Sequence, residues 1–309
     1  MKKNILVTGG AGFIGSHISI SLKNQGHNVI VLDNFYRNSH IDILKKKKIK
    51  IVKGDIRLSK CFGSINSKID QVVHLAAING TQNFYKHPCE VLEVATKGIF
   101  NVLDYCLKKK IKDLIIASSS EVYNIPTKIP TLEEEPIKIP DVFNPRFSYS
   151  TGKIVSEIAG INYGKKYFKR LIIFRPHNVY GKNMGSDHVI PELISKVEKS
   201  NHKLEIIGTG RDKRSFIYIE DFIKAFNLIY NKGRHMNIYN IGTEQVISIN
   251  SLAKKIMKLK NKNLSIIKNN NTDHKGSTNI RCPSINKIKK LGFIPSYDLD
   301  KGLEKILNG

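Results

Sequence analysis

Acidic residues are scarce in this 309-residue chain: 26 Asp and Glu stand against 51 Lys and Arg, a formal charge of +25. An imbalance of that size suits a nucleic-acid binder, a class marked by basic residues gathered on one face beside stacking aromatics. Here the basic runs KKKKIK (45–50), KKKIK (108–112) and KKYFKR (165–170) lie far apart and bring no aromatic-rich motif of that kind. They fall where helices are expected to end or strands to begin, and lysine is favourable at a helix C-terminus. Nucleic acid is therefore not the expected partner, whereas the positive field would draw in an anionic small molecule. Cysteine is sparse as well. Cys61, Cys89, Cys106 and Cys282 form no CxxC pair and no zinc spacing with histidine. No metal site or disulfide framework is expected, and free thiols buried in a reducing cytoplasm are. No apolar run is long enough to span a bilayer, and the opening Met1-Lys2-Lys3 precedes a short strand-like run rather than the apolar core of an export signal. A cytoplasmic protein without membrane contact is the expectation.

Proline is also infrequent, yet five of the ten prolines crowd residues 124–147. That stretch cannot be a long helix or a central strand, and a lid or substrate-binding edge is the natural expectation. Around it the pattern is regular. NILVT (4–8), NVIVLD (28–33), IKIVKGD (49–55), QVVHLAA (71–77), KDLIIASSS (112–120) and RLIIFRP (170–176) read as apolar strands, with helical segments between them such as 13–26. Apolar strands separated by helices argue a parallel sheet buried on both faces, closed by right-handed crossovers. Beyond residue 177 the elements shorten: a helix near 188–200, strands near 204–207 and 215–218, helices over 219–231 and 249–260, and a loop-like stretch at 260–278. The expected fold is α/β. A doubly wound parallel sheet (Rossmann) covers residues 1–177, and a smaller mixed α/β C-terminal substrate lobe covers 178–309, with segments of the two interleaving.

In VTGGAGFIG (7–15), Gly9, Gly12 and Gly15 fall three apart between a strand and a helix. Glycine allows a tight turn and lets a bulky anion approach the backbone, while the helix N-terminus offers free N–H groups to a pyrophosphate. The spacing is not the GxGxxG of the dehydrogenase fingerprint, so the context matters. Asp33 ends the second strand, where an acid accepts hydrogen bonds from ribose hydroxyls and repels a 2′-phosphate. That favours NAD over NADP, although Arg37 nearby argues the other way. Asp55 after the third strand reads either as an adenine contact or as a helix N-cap. YSTGK (149–153) sets Tyr149 and Lys153 four apart on one helix face. An ammonium and a nicotinamide cation beside a tyrosine lower its pKa from about 10, making it a proton carrier for a hydroxyl or ketone. The serines of SSSEVY (118–123) close a strand at the edge where such sheets bind ligands.

The order TGGAGFIGSH, VIVLDN, GDIR, VVHLAA, SSSEVY, YxxxK, RPHNVYG resembles the extended short-chain dehydrogenases/reductases, and more narrowly the NAD-dependent nucleotide-sugar epimerase/dehydratase family. GTGRDKRSFIYIEDFIKA (208–225), YNIGTEQVISINSLA (239–253) and RCPSINKIKKLGFIP (281–295) look like that family's substrate lobe, so the likeness covers essentially the whole chain. The resemblance implies Ser119, Tyr149 and Lys153 as the catalytic set. It implies Gly9, Gly12, Phe13, Ile14 and Gly15 around the pyrophosphate, and Asp33 and Asn34 at the ribose. It also implies Asp55 and Ile56 at the adenine, with Leu75, Ala76 and Ala77 lining the cofactor. Asn178 is implied to touch the nucleoside-diphosphate sugar alongside Ser119 and Ser120, with Val189 and Ile190 near its base, and Arg214 and Arg281 as the diphosphate clamp. A homodimer is implied too. The expected reaction is 4-epimerisation through a 4-keto sugar, with NAD carrying the hydride. Glu121 keeps 4,6-dehydration and decarboxylation open, as it stands where dehydratases carry a base, but Ser120 takes the place of their aspartate. Ala95 and Gly152 depart from the family's asparagine and Ser/Thr, Asn124 from its glycine and Lys182 from its proline. A non-catalytic NAD- or RNA-binding protein on the same fold is the rival from another class.

Overall fold

In this computed structural model, which describes residues 1–37, 40–269 and 278–308, strands and helices alternate through the first half. They are β1 (Asn4–Thr8), α1 (Phe13–Asn24), β2 (Asn28–Asp33), α2 (Ile41–Lys46), β3 (Lys50–Lys53), β4 (Gln71–His74), α3 (Thr81–Lys86), α4 (Pro88–Lys108), β5 (Asp113–Ala117), α5 (Phe147–Tyr167) and β6 (Arg170–Pro176). The second half supplies β7 (Val179–Tyr180), α6 (Val189–Lys199), β8 (Lys203–Ile207), β9 (Lys213–Ser215), β10 (Ile217–Tyr218), α7 (Ile219–Lys232), β11 (Asn237–Ile241), β12 (Val246–Ser248), α8 (Ile249–Leu259), β13 (Ser265–Asn269), β14 (Ile280–Arg281), α9 (Asn286–Lys290) and α10 (Leu299–Leu307). The three basic runs lie over helix ends: Lys45 and Lys46 close α2, Lys108 closes α4, and Lys165 and Lys166 close α5. No helix among the described residues is long and apolar enough to cross a membrane. Cys61, Cys106 and Cys282 are buried free thiols, while Cys89 is exposed.

Seven strands pair in parallel in the order β11-β6-β5-β4-β1-β2-β3. Alternate residues of each strand feed opposite cores, which is why the strands read as unbroken apolar runs. Ile5 and Val7 of β1 join one core, with Val31, Ile115 and Phe174 and residues of α1 and α7; Leu6 joins the other, with Ile30, Val72, Ile116 and residues of α4. The direction of winding reverses between β1 and β4, which opens a crevice at the carboxyl ends of those strands.

Three segments differ from the expectation. Asn237–Ile241, read as part of the smaller lobe, is the seventh strand of the main sheet and pairs with β6. The loop-like 260–278 contains β13, paired with β8 in parallel register from Ser265↔Lys203 to Asn269↔Ile207; its residues 270–277 lie outside the described ones. Residues 124–147 form a strap along the C-terminal lobe rather than a lid, and of them Arg146 lines the crevice. Thr131 N–H donates to the Cys282 carbonyl (2.8 Å), Ser284 N–H donates to the Thr131 carbonyl (2.8 Å), and Asn240 N–H donates to the Glu133 carboxylate (2.9 Å). Proline removes the donors a sheet needs, so this segment takes its order from such outside partners.

One charged group holds several of these parts. The Arg175 guanidinium on β6 is 2% exposed and grips Glu157 of α5 with two bonds of 2.8 and 2.6 Å. It also donates to the Tyr123 hydroxyl (2.8 Å) and the Glu133 carbonyl (2.9 Å). Tyr123 passes the network to Asn240 of β11 at 2.8 Å.

The two departures at Ala95 and Gly152 prove to be spatial partners. A Cβ built on Gly152 of α5 would lie 2.5 Å from the Ala95 Cβ of α4. The Ser156 hydroxyl bridges the carbonyls of Ala95 (3.1 Å) and Gly152 (2.9 Å). Two small residues let the helices approach beside the Tyr–Lys pair. Gly152→Ser should therefore cost about 1–3 kcal/mol through overpacking. Thermal unfolding measures it: the midpoint should fall, and adding Ala95→Gly should recover part of the loss. An unchanged midpoint for Gly152→Ser would contradict the packing.

Candidate active site

The crevice is a cleft of about 1370 Å³, and every residue expected to serve catalysis, cofactor or substrate borders it, whereas Ala95, Asn124, Gly152 and Lys182 do not. Its floor is the glycine turn. Gly9 has φ +69°, and a Cβ there would lie 2.6 Å from the backbone of Ala76; a Cβ on Gly15 would collide with the Gly9 carbonyl. Those two glycines pack the turn against its neighbours. Gly12 differs, because a Cβ there would meet only the Gly9 carbonyl oxygen, at 3.5 Å. Its openness serves whatever enters the cleft. No side chain caps α1, so the first N–H groups at Phe13 and Ile14 face the approach to the turn. The arrangement fits a dinucleotide pyrophosphate.

Asp33 holds the turn and the strand end together. One carboxylate oxygen accepts from Ala11 N–H (2.9 Å) and the other from Phe35 N–H (2.8 Å), each with lone pairs to spare for ribose hydroxyls. Arg37, the argument for a 2′-phosphate, reaches across the cleft instead: its guanidinium donates to the Asn79 carbonyl and pairs with Asp187 at 3.3 Å. Asn34 folds onto Tyr36 N–H (3.0 Å). Asp55 lines the cleft, but its carboxylate is held by Arg57 at 2.7–3.1 Å and caps no helix. That bond, more than burial opposes it, keeps the Asp55 pKa below the ordinary range. Buried Ile56 and the Leu75–Ala77 stretch after β4 complete the walls.

Ser119, Tyr149 and Lys153 meet at the carboxyl end of β5. Lys153 Nζ donates to the Ala117 carbonyl (2.8 Å) and lies 5.9 Å from the Tyr149 ring centre. Burial lowers the Lys153 pKa to about 8, against the pull of Glu157. Tyr149 behaves otherwise than expected: burial pushes its pKa up to about 12, and a hydrogen bond with Ser119 offsets only part of that. The ammonium alone does not make Tyr149 a base. Phe84 of α3 stacks on the Tyr149 ring at 4.8 Å and fixes its plane. Sequence reasoning missed Phe84, since nothing local to α3 signals a partner on α5.

Glu121 follows in the turn after Ser119, whose Oγ accepts its N–H (3.1 Å). Both of its oxygens are taken by Arg281, at 2.5 and 3.0 Å, and Arg146 stands 3.7 Å away. Burial would raise the Glu121 pKa, but Arg281, Arg146 and Arg214 outweigh it and hold it at about 2. Arg281 is thus engaged at the Ser–Tyr–Lys end of the cleft. Arg214 pairs with Asp212 (3.0 Å) and donates to the carbonyls of Lys213 and Asn279. Ser120 is buried, and Asn178 donates to the Ser215 carbonyl (2.8 Å). Val189 opens α6 at the rim, while the Ile190 side chain belongs to the core. Arg146 is the second residue the sequence reading missed, although NPRF directly before the Tyr–Lys motif was a signal.

Residues 5–242 match the sequence profile of the NAD dependent epimerase/dehydratase family. The chain is 33% identical to a putative UDP-glucose 4-epimerase of Methanocaldococcus jannaschii, over 98% of this chain and 97% of that protein. It is 35% identical to a dTDP-D-glucose 4,6-dehydratase of Dictyostelium discoideum over 83% of this chain, a match spanning 62% of that protein. A UDP-N-acetyl-alpha-D-glucosaminuronate decarboxylase of Bacillus cytotoxicus is 31% identical over 99% of this chain and 97% of its own length. The solved structure of a UDP-glucose 4-epimerase from Thermotoga maritima superimposes with a TM-score of 0.88 at 25% identity, covering 99% of this chain and 97% of that one.

Because the Asp33 carboxylate lines the cleft with lone pairs to spare and Arg37 is occupied elsewhere, the protein should bind NAD much more tightly than NADP. Asp33→Ala should weaken NAD binding and narrow the difference, as calorimetry with both cofactors can measure. Tighter binding of NADP by the native protein would refute the assignment.

Proposed function

This chain belongs to the NAD dependent epimerase/dehydratase family, and from that premise we propose that it is a 4-epimerase acting on a nucleoside-diphosphate sugar through a 4-keto intermediate. The observation that carries the reading is the meeting of Ser119, Tyr149 and Lys153 beside the glycine cradle. Bound NAD supplies hydride exchange at sugar carbon 4 and a positive ring charge that favours ionised Tyr149. Tyr149 removes the carbon 4 hydroxyl proton and later returns it. Ser119 hydrogen-bonds the same oxygen. Lys153, anchored on the Ala117 carbonyl, keeps a cation below the phenol. Residues 1–177 hold the cofactor in this reading, and residues 178–309 supply Asn178, Val189, Ile190, Arg214 and Arg281 to the nucleotide sugar.

The surroundings of Glu121 rank the alternatives. Dehydration needs an acid for the departing carbon 6 hydroxyl, and Ser120 offers no carboxyl group for it. Decarboxylation is the second reading. Arg146 and Arg281 converge on Glu121, and paired guanidinium groups suit a carboxylate on the sugar. Two copies of the chain are proposed to associate through α4 and α5, whose Leu92, Phe100 and Ile158 expose apolar side chains. Light scattering at a mass near the 35.0 kDa monomer would exclude that dimer.

Incubation with NAD and a panel of UDP- and dTDP-sugars decides among the reactions. Unchanged product mass with an inverted carbon 4 proton signal supports epimerisation; loss of water or of carbon dioxide refutes it in favour of the alternatives. On the sugar that reacts, Tyr149→Phe should lower kcat by about 10²–10⁴-fold with little change in substrate affinity, as expected for a proton carrier. A near-native rate would remove Tyr149 from the chemistry.

A further inference from the structure

Glu121 and the arginines around it come from four separate parts of the chain. Glu121 sits in the turn after β5, and Arg146 precedes α5. Arg214 and Arg281 are register partners on β9 and β14. The side chains of Arg146, Arg214 and Arg281 are 8%, 11% and 11% exposed, and that of Glu121 20%. Charge is nearly balanced: Arg146, Arg214 and Arg281 face Glu121 and Asp212, which leaves one positive charge in excess. The geometry is tightest at Arg281, where both donors facing the cleft end on the two oxygens of Glu121.

A guanidinium edge that makes a fork with one carboxylate has no room for a second bidentate anion on that edge. An incoming phosphate or carboxylate oxygen pair that uses this edge of Arg281 must therefore displace Glu121. If Glu121 stayed in contact, two like charges would share a poorly solvated site, which is costly. We propose that Glu121 is an internal counter-anion that fills the Arg281–Arg146 site until an anionic oxygen group of the substrate replaces it, so that Glu121 sets how tightly the nucleotide sugar is held. The proposal rests on the nucleotide-sugar reading above. It explains why a carboxylate and not a neutral residue follows Ser120: the buried Arg281 guanidinium would otherwise lose the carboxylate that faces it. It has a chemical consequence too. Once Arg281 turns to the substrate, burial of Glu121 is opposed only by Arg146 and Arg214, and its carboxylate becomes a better proton acceptor beside Ser119 and Tyr149.

Two sources carry the required oxygens, the diphosphate bridge and a carboxylate on the sugar. Calorimetric titration in the presence of NAD with UDP, UDP-glucose and UDP-glucuronate, and with dTDP and dTDP-glucose, separates them. Glu121→Gln removes the competing charge, so the variant should bind the anion about tenfold more tightly than the native protein, a change of about 1.4 kcal/mol. Gain for all probes identifies the diphosphate; gain for UDP-glucuronate alone identifies the sugar carboxylate. Either supports the proposal. The double variant Glu121→Gln/Arg281→Gln should show no gain, which ties the effect to Arg281. Should Glu121→Gln fail to fold, Glu121→Asp, too short to keep both donors, should show a smaller gain in the same direction. Equal or weaker binding of every probe by a folded variant overturns the proposal and leaves the nucleotide-sugar reading standing. Binding of no probe by the native protein overturns both.

Discussion

A guanidinium at the centre of a protein must be satisfied on every side, and Arg175 ties its own strand to four other segments, three directly and one through Tyr123. Its fork is matched by Glu157, its remaining donors by Tyr123 and the Glu133 carbonyl, and Tyr123 in turn by Asn240. Such a pair adds little net stability, since desolvation consumes most of the attraction, but breaking it leaves an uncompensated buried charge. The segments it joins are those that border the Ser119–Tyr149–Lys153 end of the cleft. Glu157 follows Tyr149 and Lys153 on one face of α5; Tyr123 closes the turn that begins at Ser119; Arg175 itself leads into Asn178; and Asn240 donates to the carbonyls of Thr131 and Ser284, next to the Arg281 segment. The relative positions of the phenol, the hydroxyl, the ammonium and the arginines are set from beneath by one ion pair.

Above that node the cleft sorts its charges by end. At the glycine turn, backbone N–H groups stand beside the Asp33 carboxylate, an arrangement that fits phosphate and ribose. At the β5 end, buried arginines surround one carboxylate. The surplus of lysine across the chain adds a general attraction for anions, while the selective contacts are these few arginines. The match to the NAD dependent epimerase/dehydratase family, over residues 5–242, spans the glycine turn and Ser119, Tyr149 and Lys153. At the second end the Ser120–Glu121 pair and the converging Arg146 and Arg281 are the features on which the proposed reactions differ.

Local chemistry made the first end legible. A glycine turn between an apolar strand and a helix, an acid at the next strand end, and a Tyr–Lys pair four residues apart each act through their neighbours in sequence, so their residue types could be read directly. The strands were legible for the same reason, since burial on both faces leaves an unbroken apolar run. Asn237–Ile241 was harder: its place in the main sheet depends on pairing with β6, some sixty residues earlier, which no local pattern encodes. The strap over 124–147 was visible as irregular, but its course depends on acceptors at Thr131, Cys282 and Glu133 that only the folded chain brings together.

By itself the sequence determined the α/β alternation, the glycine turn at Gly9–Gly15, the acid at Asp33 that ends the second strand, and the placing of Tyr149 and Lys153 four apart on one helix face. Each of these is a property of one short segment. Tertiary structure alone decided that Arg281 and Arg146 close on Glu121, that Arg37 turns away toward Asn79 and Asp187, that Phe84 fixes the Tyr149 ring, and that Ala95 and Gly152 answer one another across two helices. Those pairings join residues from about 25 to 160 positions apart. Their energies come from desolvation and close contact, which exist only once the chain has folded.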